Sequence, residues 1–236
     1  MLKANRQNNP KDPPIEVVPY NPQWPELYAQ EAALIRAALG NNCLMIHHVG
    51  STSVPGLAAK PTIDMIPVVK DILKVDEEAL EKLGYVSYGE YGMLFRRFFT
   101  KGETSRTHHI HIWEEGNPEI NKHLMFHDYL MTHPTDLKRY ADLKLSLAHT
   151  FKNDRRAYTF AKDDFIREIL EKAGFQGLTM VQALTEREWK AVKSLRQRYC
   201  FDPSQIQDPY YWAFEEKFHF HIVLKKGSDT IGYAHL

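Results

Sequence analysis

Three consecutive stretches decide the fold: Cys43-Leu44-Met45-Ile46-His47-His48-Val49, then Gly50-Ser51-Thr52-Ser53-Val54-Pro55-Gly56-Leu57-Ala58-Ala59-Lys60-Pro61, then Thr62-Ile63-Asp64-Met65-Ile66-Pro67-Val68-Val69. The first and third are short apolar runs rich in β-formers, so they read as two strands bracketing a loop of small residues. Two prolines and a glycine fix turns within that loop and prevent one continuous element. A Gly-Ser pair at a strand end exposes backbone N–H groups, and the hydroxyls of Ser51, Thr52 and Ser53 add donors, which suits phosphate oxygens. Asp64 stands in the second apolar run, where an unpaired carboxylate is costly unless it meets a metal or a cation. Gly50-Ser51 alone also reads as a simple tight turn. Joined to Asp64, it has the layout of a site where a nucleoside triphosphate meets a divalent metal.

Upstream, Met1–Pro14 is polar and Asn-rich and reads as a flexible leader. Ile15–Val18 reads as a strand, and Pro25 is placed for the first turn of a helix over Glu26–Leu39. Downstream, the pattern predicts a helix over Asp71–Leu83, a strand over Tyr85–Tyr88, and a hairpin of Met93–Thr100 with Thr107–Trp113 around Lys101-Gly102-Glu103. From Asn121 to Ala173 the apolar residues recur at helical spacing. After Gly174 and Gly177 the pattern restarts, with a helix over Thr185–Tyr199 and strands over His219–Leu224 and Thr230–Leu236 around a turn at Lys225–Asp229. The expected fold is α/β (α+β): over residues 15–175 a mixed sheet flanked by helices with a helical second half, and over 178–236 a small αβ segment.

Bulk properties narrow the function classes. Lys plus Arg and Asp plus Glu both number 30 in 236 residues, which removes a whole-chain electrostatic case for nucleic acid or anionic membranes. No apolar run approaches the ~20 residues that span a bilayer, and the N-terminus has no signal-peptide core, so a cytoplasmic, soluble protein is expected. Cys43 and Cys200 lack metal or redox spacing and read as small packing residues.

His109 and His111 alternate on a predicted strand, so both face one side and form a pair of imidazoles for Asp64. That donor set favours zinc, manganese or iron over magnesium. Six histidines, at 108, 109, 111, 123, 127 and 133, fall in one segment. The plainer reading makes several of them exposed or hydrogen-bonded helix residues. Lys60 lies at the mouth of the acid-bearing strand, to meet a phosphate, the Asp64 carboxylate or simply solvent. Of Arg96 and Arg97, one faces the working side of the sheet and the other is solvated.

The run from His48 to Met65 resembles the signature of the GrpB family. The resemblance continues through Leu83-Gly84-Tyr85, His109-Ile110-His111, Phe126–Leu130 with His133-Pro134, Tyr140–Lys144 and Tyr158–Lys162. It implies a polymerase-β-like nucleotidyltransferase fold, with Gly50-Ser51 near the triphosphate and Asp64 as a metal ligand. Lys144, Arg155, Tyr158 and Lys162 match the family's motif, and in this reading close over the nucleotide, although packing and helical pairing explain them nearly as well. Active members of that superfamily carry two acids one residue apart, whereas Asp64 is followed by Met65 and Ile66. His127 stands where the family usually has arginine. Glu188–Val192 and Ile231–Leu236 resemble the opening of a GNAT-type acetyltransferase domain.

The sequence therefore points to a nucleotide or phosphorylated small molecule, bound by Gly50, Ser51, Thr52, Ser53, Lys60, Lys144, Tyr158 and Lys162. Asp64, His109 and His111 are the expected ligands of a divalent metal (Mg, Mn or Zn), with Asp64 and His111 as the catalytic pair. The alternatives are a non-catalytic binding module and the substrate-selecting part of a longer acetyltransferase.

Overall fold

Residues 43–49 and 63–69 lie side by side as antiparallel strands, and the rest of the sheet grows from the second of them. The computed structural model describes residues 13–102, 105–204, 206–209 and 219–236; residues 1–12 of the leader expected over 1–14 and the turn residue Glu103 lie outside the described residues. The chain runs through α1 (Trp24–Leu39), β1 (Cys43–Val49), β2 (Ile63–Val69), α2 (Glu77–Lys82), β3 (Tyr85–Ser87), β4 (Arg97–Lys101) and β5 (His108–Glu114). Four helices follow: α3 (Pro118–Thr132), α4 (Pro134–Thr150), α5 (Arg155–Phe160) and α6 (Asp163–Lys172). Strand order is β1-β2-β5-β4-β3, with β2 and β5 parallel and the other pairs antiparallel. This is the expected mixed sheet flanked by helices, with a helical second half.

Because side chains alternate along a strand, the sheet has two unlike faces. Ile63, Met65, Val69, Phe99, Ile110 and Ile112 are buried in one cluster with Trp24, Ile35 and Leu39 of α1 and Leu80 of α2. Asp64, Phe98, His109 and His111 occupy the alternate positions and face the other way, with Asp64 opposite His109 and Phe98 opposite His111 in the register. A second cluster joins Val54 and Leu57 of the β1–β2 loop to Leu130, Tyr140, Phe165 and Ile169. The helical half is thus packed directly onto the loop that follows Gly50.

Several local expectations give way to stronger local chemistry. Ile15–Val18 forms no strand; only Val18 bridges to Ala59, while Ile15 packs with Ala148 and Tyr158. The helix expected over 71–83 splits in two. Asp71 accepts from Leu73 N to cap a short 3-10 turn, and Asp76 accepts from Ala79 N to cap α2, so two competing caps divide the segment. β4 begins at Arg97 rather than Met93, because Tyr91 and Phe95 adopt positive φ and turn the chain just before it.

The chain divides into two compact units, one reaching Tyr91 and including Phe95–Phe175, the other made of Gly92–Leu94 and Gln176–Leu236. In the second, β6 (Leu178–Gln182), β7 (His221–Lys226) and β8 (Asp229–His235) form an antiparallel sheet in that order, and α7 (Glu186–Arg196) follows β6. Thr185 and Glu188 make a reciprocal capping box at the start of α7. The α-helix ends at Arg196, short of Tyr199, and passes into a π turn over Gln197–Phe201. Cys43 is buried as expected, but Cys200 on that turn is exposed, not the packing residue expected. Among the described residues, no helix is long and apolar enough to cross a membrane.

Candidate functional site

Gly50 is required by its surroundings. Its φ is 72°, and a Cβ there would lie 2.7 Å from Asp64 Oδ2. Its carbonyl accepts from Ser53 N at 3.3 Å and Ser53 Oγ at 2.6 Å, which closes the turn. Thr52 is 1% exposed and its hydroxyl meets His48 Nε2 at 3.1 Å. The hydroxyls of Thr52 and Ser53 are therefore engaged inside the turn, and Ser51 is the one that meets the lysine-bearing helices.

Lys144 donates to Ser51 Oγ at 2.8 Å and to the Ala58 carbonyl, and its ammonium lies 4.6 Å over the Tyr140 ring. Lys60 and Lys162 both approach the Tyr158 ring, at 5.4 and 4.6 Å from its centroid. Cation–π contact is favourable but leaves a buried ammonium short of a counter-charge. Burial, then the charges of Lys162 and Lys60, push Lys144 down to about 6. Burial, followed by Lys162 and Arg155, pushes Lys60 down to about 7, and burial also lowers Lys162. Burial raises Tyr158 to about 12. Arg155 reaches the Pro13 carbonyl at 3.5 Å.

Beside this cluster, Asp64 Oδ1 lies 3.0 Å from His109 Nδ1 and 3.9 Å from His111 Nε2, with 30% of the Asp64 side chain exposed. Burial pushes the Asp64 carboxyl up, but the two histidines outweigh it and hold it well below the usual carboxylate range. Burial lowers both imidazoles, His111 to about 3, so both are neutral near pH 7. One ligand atom from each of Asp64, His109 and His111 lies within 4.8 Å of the others. One carboxylate and two neutral imidazoles suit a borderline divalent ion such as zinc, manganese or iron, and suit magnesium poorly because it prefers oxygen ligands. His109 Nε2 is buried without a hydrogen-bond partner, as an imidazole attached only through Nδ1 leaves it.

A profile of the GrpB protein family matches residues 14–172. The chain belongs to the GrpB family. The UPF0157 protein YqkA of Bacillus subtilis (strain 168) is 42% identical over 161 residues, which cover 67% of this chain and 47% of YqkA. The chain thus spans about half the length of that relative. A crystal structure of the conserved protein GrpB from Enterococcus faecalis superposes with a TM-score of 0.65 at 42% identity, covering 67% of this chain and 96% of that one. More distantly, a dephospho-CoA kinase of Mycolicibacterium paratuberculosis (strain ATCC BAA-968 / K-10) is 26% identical over 187 residues, 68% of this chain and 46% of the kinase.

Within this GrpB fold, the position two residues after Asp64 is Ile66, fully buried, so the strand has no second acid there. The other four histidines of the segment stand apart from the Asp64 cluster. His108 contacts Thr107, His127 pairs with Asp128, His133 donates to the Tyr129 carbonyl, and His123 donates to the Glu119 carbonyl while its ring lies 6.1 Å from that of His111. Arg96 is the arginine that faces the site, with Nη1 3.1 Å from His111 Nδ1; Arg97 instead lies 3.6 Å from Glu77. Sequence reading missed Tyr140, whose ring faces the Lys144 ammonium at 4.6 Å. The signal was present: Asp136, Tyr140, Lys144 and Ala148 form a buried i+4 stripe on α4, in which a lysine has no ordinary core role.

Proposed function

We propose that this chain binds a phosphate-bearing ligand, a nucleotide foremost, against Ser51, Lys60, Lys144 and Lys162, together with a divalent cation held by Asp64, His109 and His111. The observation that carries this reading is the buried Lys144 with the half-buried Lys60 and Lys162 beside it, which have aromatic faces and hydroxyl or carbonyl oxygens around them but no carboxylate in ion-pair contact among the described residues. Burying ammonium groups without counter-charge is unfavourable, and an anion placed among them reverses that penalty. Gly50 lets the backbone approach Asp64 closely, which sets the anion site beside the cation site.

With a nucleoside triphosphate bound, the reaction class is nucleotidyl transfer. An acceptor oxygen bonds to the α-phosphorus as the bond to pyrophosphate breaks, and the acceptor's proton leaves to solvent. Lys60, Lys162 and the Ser51 turn hold the departing pyrophosphate, while Asp64, His109 and His111 would hold a divalent cation, which would supply charge neutralisation at the reacting phosphate.

The test is calorimetric titration of metal-stripped protein with manganese or zinc and ATP, alongside Asp64→Ala and Lys60→Ala. Cation-dependent binding in the wild type, lost in both variants, is expected; wild-type protein that ignores both ligands would end the proposal. Ile66 favours a second reading, in which the unit binds the same ligand without turnover. Nucleotide binding with no pyrophosphate release across several acceptors selects it. For residues 178–236, the β6-α7-β7-β8 order supports an acetyltransferase-type unit, tested by acetyl-CoA binding to a chain that continues past β8. The kinase activity named for the distant relative belongs to a protein about twice the matched length.

A further inference from the structure

We infer that Arg96 is a positioning residue that fixes His111 as the tautomer carrying its proton on Nε2, and thereby opposes cation binding at the Asp64 cluster. The inference deepens the proposed cation site and rests on that reading only for its consequence, not for the tautomer itself.

A guanidinium offers N–H donors and no acceptor. With Arg96 Nη1 at 3.1 Å, His111 Nδ1 must present its lone pair, so the ring proton of the neutral imidazole sits on Nε2, the nitrogen turned toward Asp64. Arg96 is held in place from several sides. It is 3% exposed, Nε donates to the Glu90 carbonyl at 3.2 Å, Nη2 donates to the Tyr91 carbonyl at 3.0 Å, and the guanidinium lies 4.7 Å over the Phe98 ring.

Those carbonyls belong to the turn before β4, where Tyr91 and Phe95 adopt φ of 45° and 62°, and Glu90 Oε1 accepts from Phe95 N at 2.7 Å. Non-glycine residues at positive φ persist where surroundings over-determine them. The turn and the guanidinium fix one another, and the pair dictates the imidazole.

The arrangement is the reverse of an ordinary metal site. A ligating histidine usually donates its second ring N–H to a carboxylate or carbonyl, which leaves the first nitrogen's lone pair for the ion. Here a donor stands behind His111. For Nε2 to ligate, the proton has to move to Nδ1, where it would face another N–H. Cation uptake through His111 therefore requires Arg96 to turn away, and the cation-free state is a neutral imidazole pair directed at one carboxylate. His109 has no such constraint, since its second nitrogen faces no polar partner.

Long-range nitrogen–proton NMR correlation on histidine-labelled, metal-stripped protein reads the tautomer directly. The expected result is an unprotonated Nδ1 and a protonated Nε2 for His111 in the wild type and in Arg96→Lys, whose ammonium also only donates. Arg96→Met should relax this preference and bind zinc or manganese roughly tenfold or more tightly, the scale of other outer-shell changes at metal sites. A protonated Nδ1 on His111 in the metal-stripped wild type overturns the inference, as does a tautomer unchanged in Arg96→Met. If the tautomer is as expected but no variant binds a cation, the cation site fails and the tautomer assignment stands.

Discussion

Strand β5 carries two different kinds of residue on alternate positions. Ile110 and Ile112 are fully buried in the cluster formed with α1 and α2, while His109 and His111 turn to the opposite face and meet Asp64. On the apolar face, stability scales with area removed from water and tolerates exchange of similar shapes. On the other face Trp113 and Phe98 are also buried, but at the two histidines the outcome depends on which nitrogen carries a proton and where one carboxylate sits. The same period of two thus separates what holds the sheet from what the sheet presents.

The largest expected effect tests that separation. Ile110→Ala should lower unfolding free energy by about 2–5 kcal/mol in denaturant titration, through lost burial and a residual cavity. His109→Ala, one residue away, should cost about 1 kcal/mol or less, because it also removes the buried Nε2 that has no partner. It should nevertheless abolish cation binding. Equal stability losses at the two positions would show that the faces are not separable.

Asp64→Asn sharpens the comparison from the charged side. Cation affinity should fall at least about 100-fold, beyond the effect of outer-shell partners. The Asp64 carboxyl is depressed in the folded state, so its stabilisation is present above the unfolded value of about 3.9 and is lost as pH falls toward the folded one. Denaturant melts should therefore weaken more steeply below pH ~4 for the wild type than for the Asn variant. Parallel acid limbs would contradict the ionised, histidine-paired carboxylate.

Strand alternation made much of this legible in advance. Alternation put His109 and His111 on one face of their strand from spacing alone, whereas the position of Asp64 across from His109 is set by the register of β2 with β5. The spacing did not show which hydroxyls remain for a ligand. Ser51, Thr52 and Ser53 are equivalent as letters, and only the closed turn engages Ser53 with Gly50 and Thr52 with His48. Nor did it show Arg96 behind His111, since that contact depends on two positive-φ residues that shorten β4. Segment 71–83 failed for a related reason: apolar periodicity is continuous there, but two aspartate caps outcompete it. Side-chain-to-backbone hydrogen bonds decided these local outcomes, and hydrophobic pattern does not encode them.

A third prediction concerns the lysines. Lys60 and Lys144 have folded values of about 7 and 6, below the unfolded value of about 10.4, so the unfolded chain binds more protons across that window. Stability of the ligand-free protein should rise with pH there. Ligand binding should run the opposite way: an anion restores the ammonium form, protons are taken up, and affinity for a phosphate ligand falls as pH rises from 6 to about 8. Calorimetry in two buffers of different ionisation heat counts those protons. Lys60→Met and Lys144→Met should each reduce the count, and zero uptake in the wild type would mean the lysines are already charged.

The smallest effect distinguishes the two cysteines and links both faces. Cys200 is exposed, and Cys200→Ser should alter stability by no more than about 0.5 kcal/mol, with native-state alkylation proceeding freely at this position. Cys43 lies in the apolar cluster, and burial raises its thiol, so its labelling requires opening of that face. A ligand bound near Asp64 touches only the opposite face, yet it stabilises the folded state by about 2.7 kcal/mol at 100 times its Kd. If the two faces open together, Cys43 labelling should slow about 100-fold at that concentration while Cys200 labelling is unchanged. If the apolar face opens by itself, the ligand leaves Cys43 labelling as it was, and the separation of stability from function along β5 extends to the dynamics of the sheet.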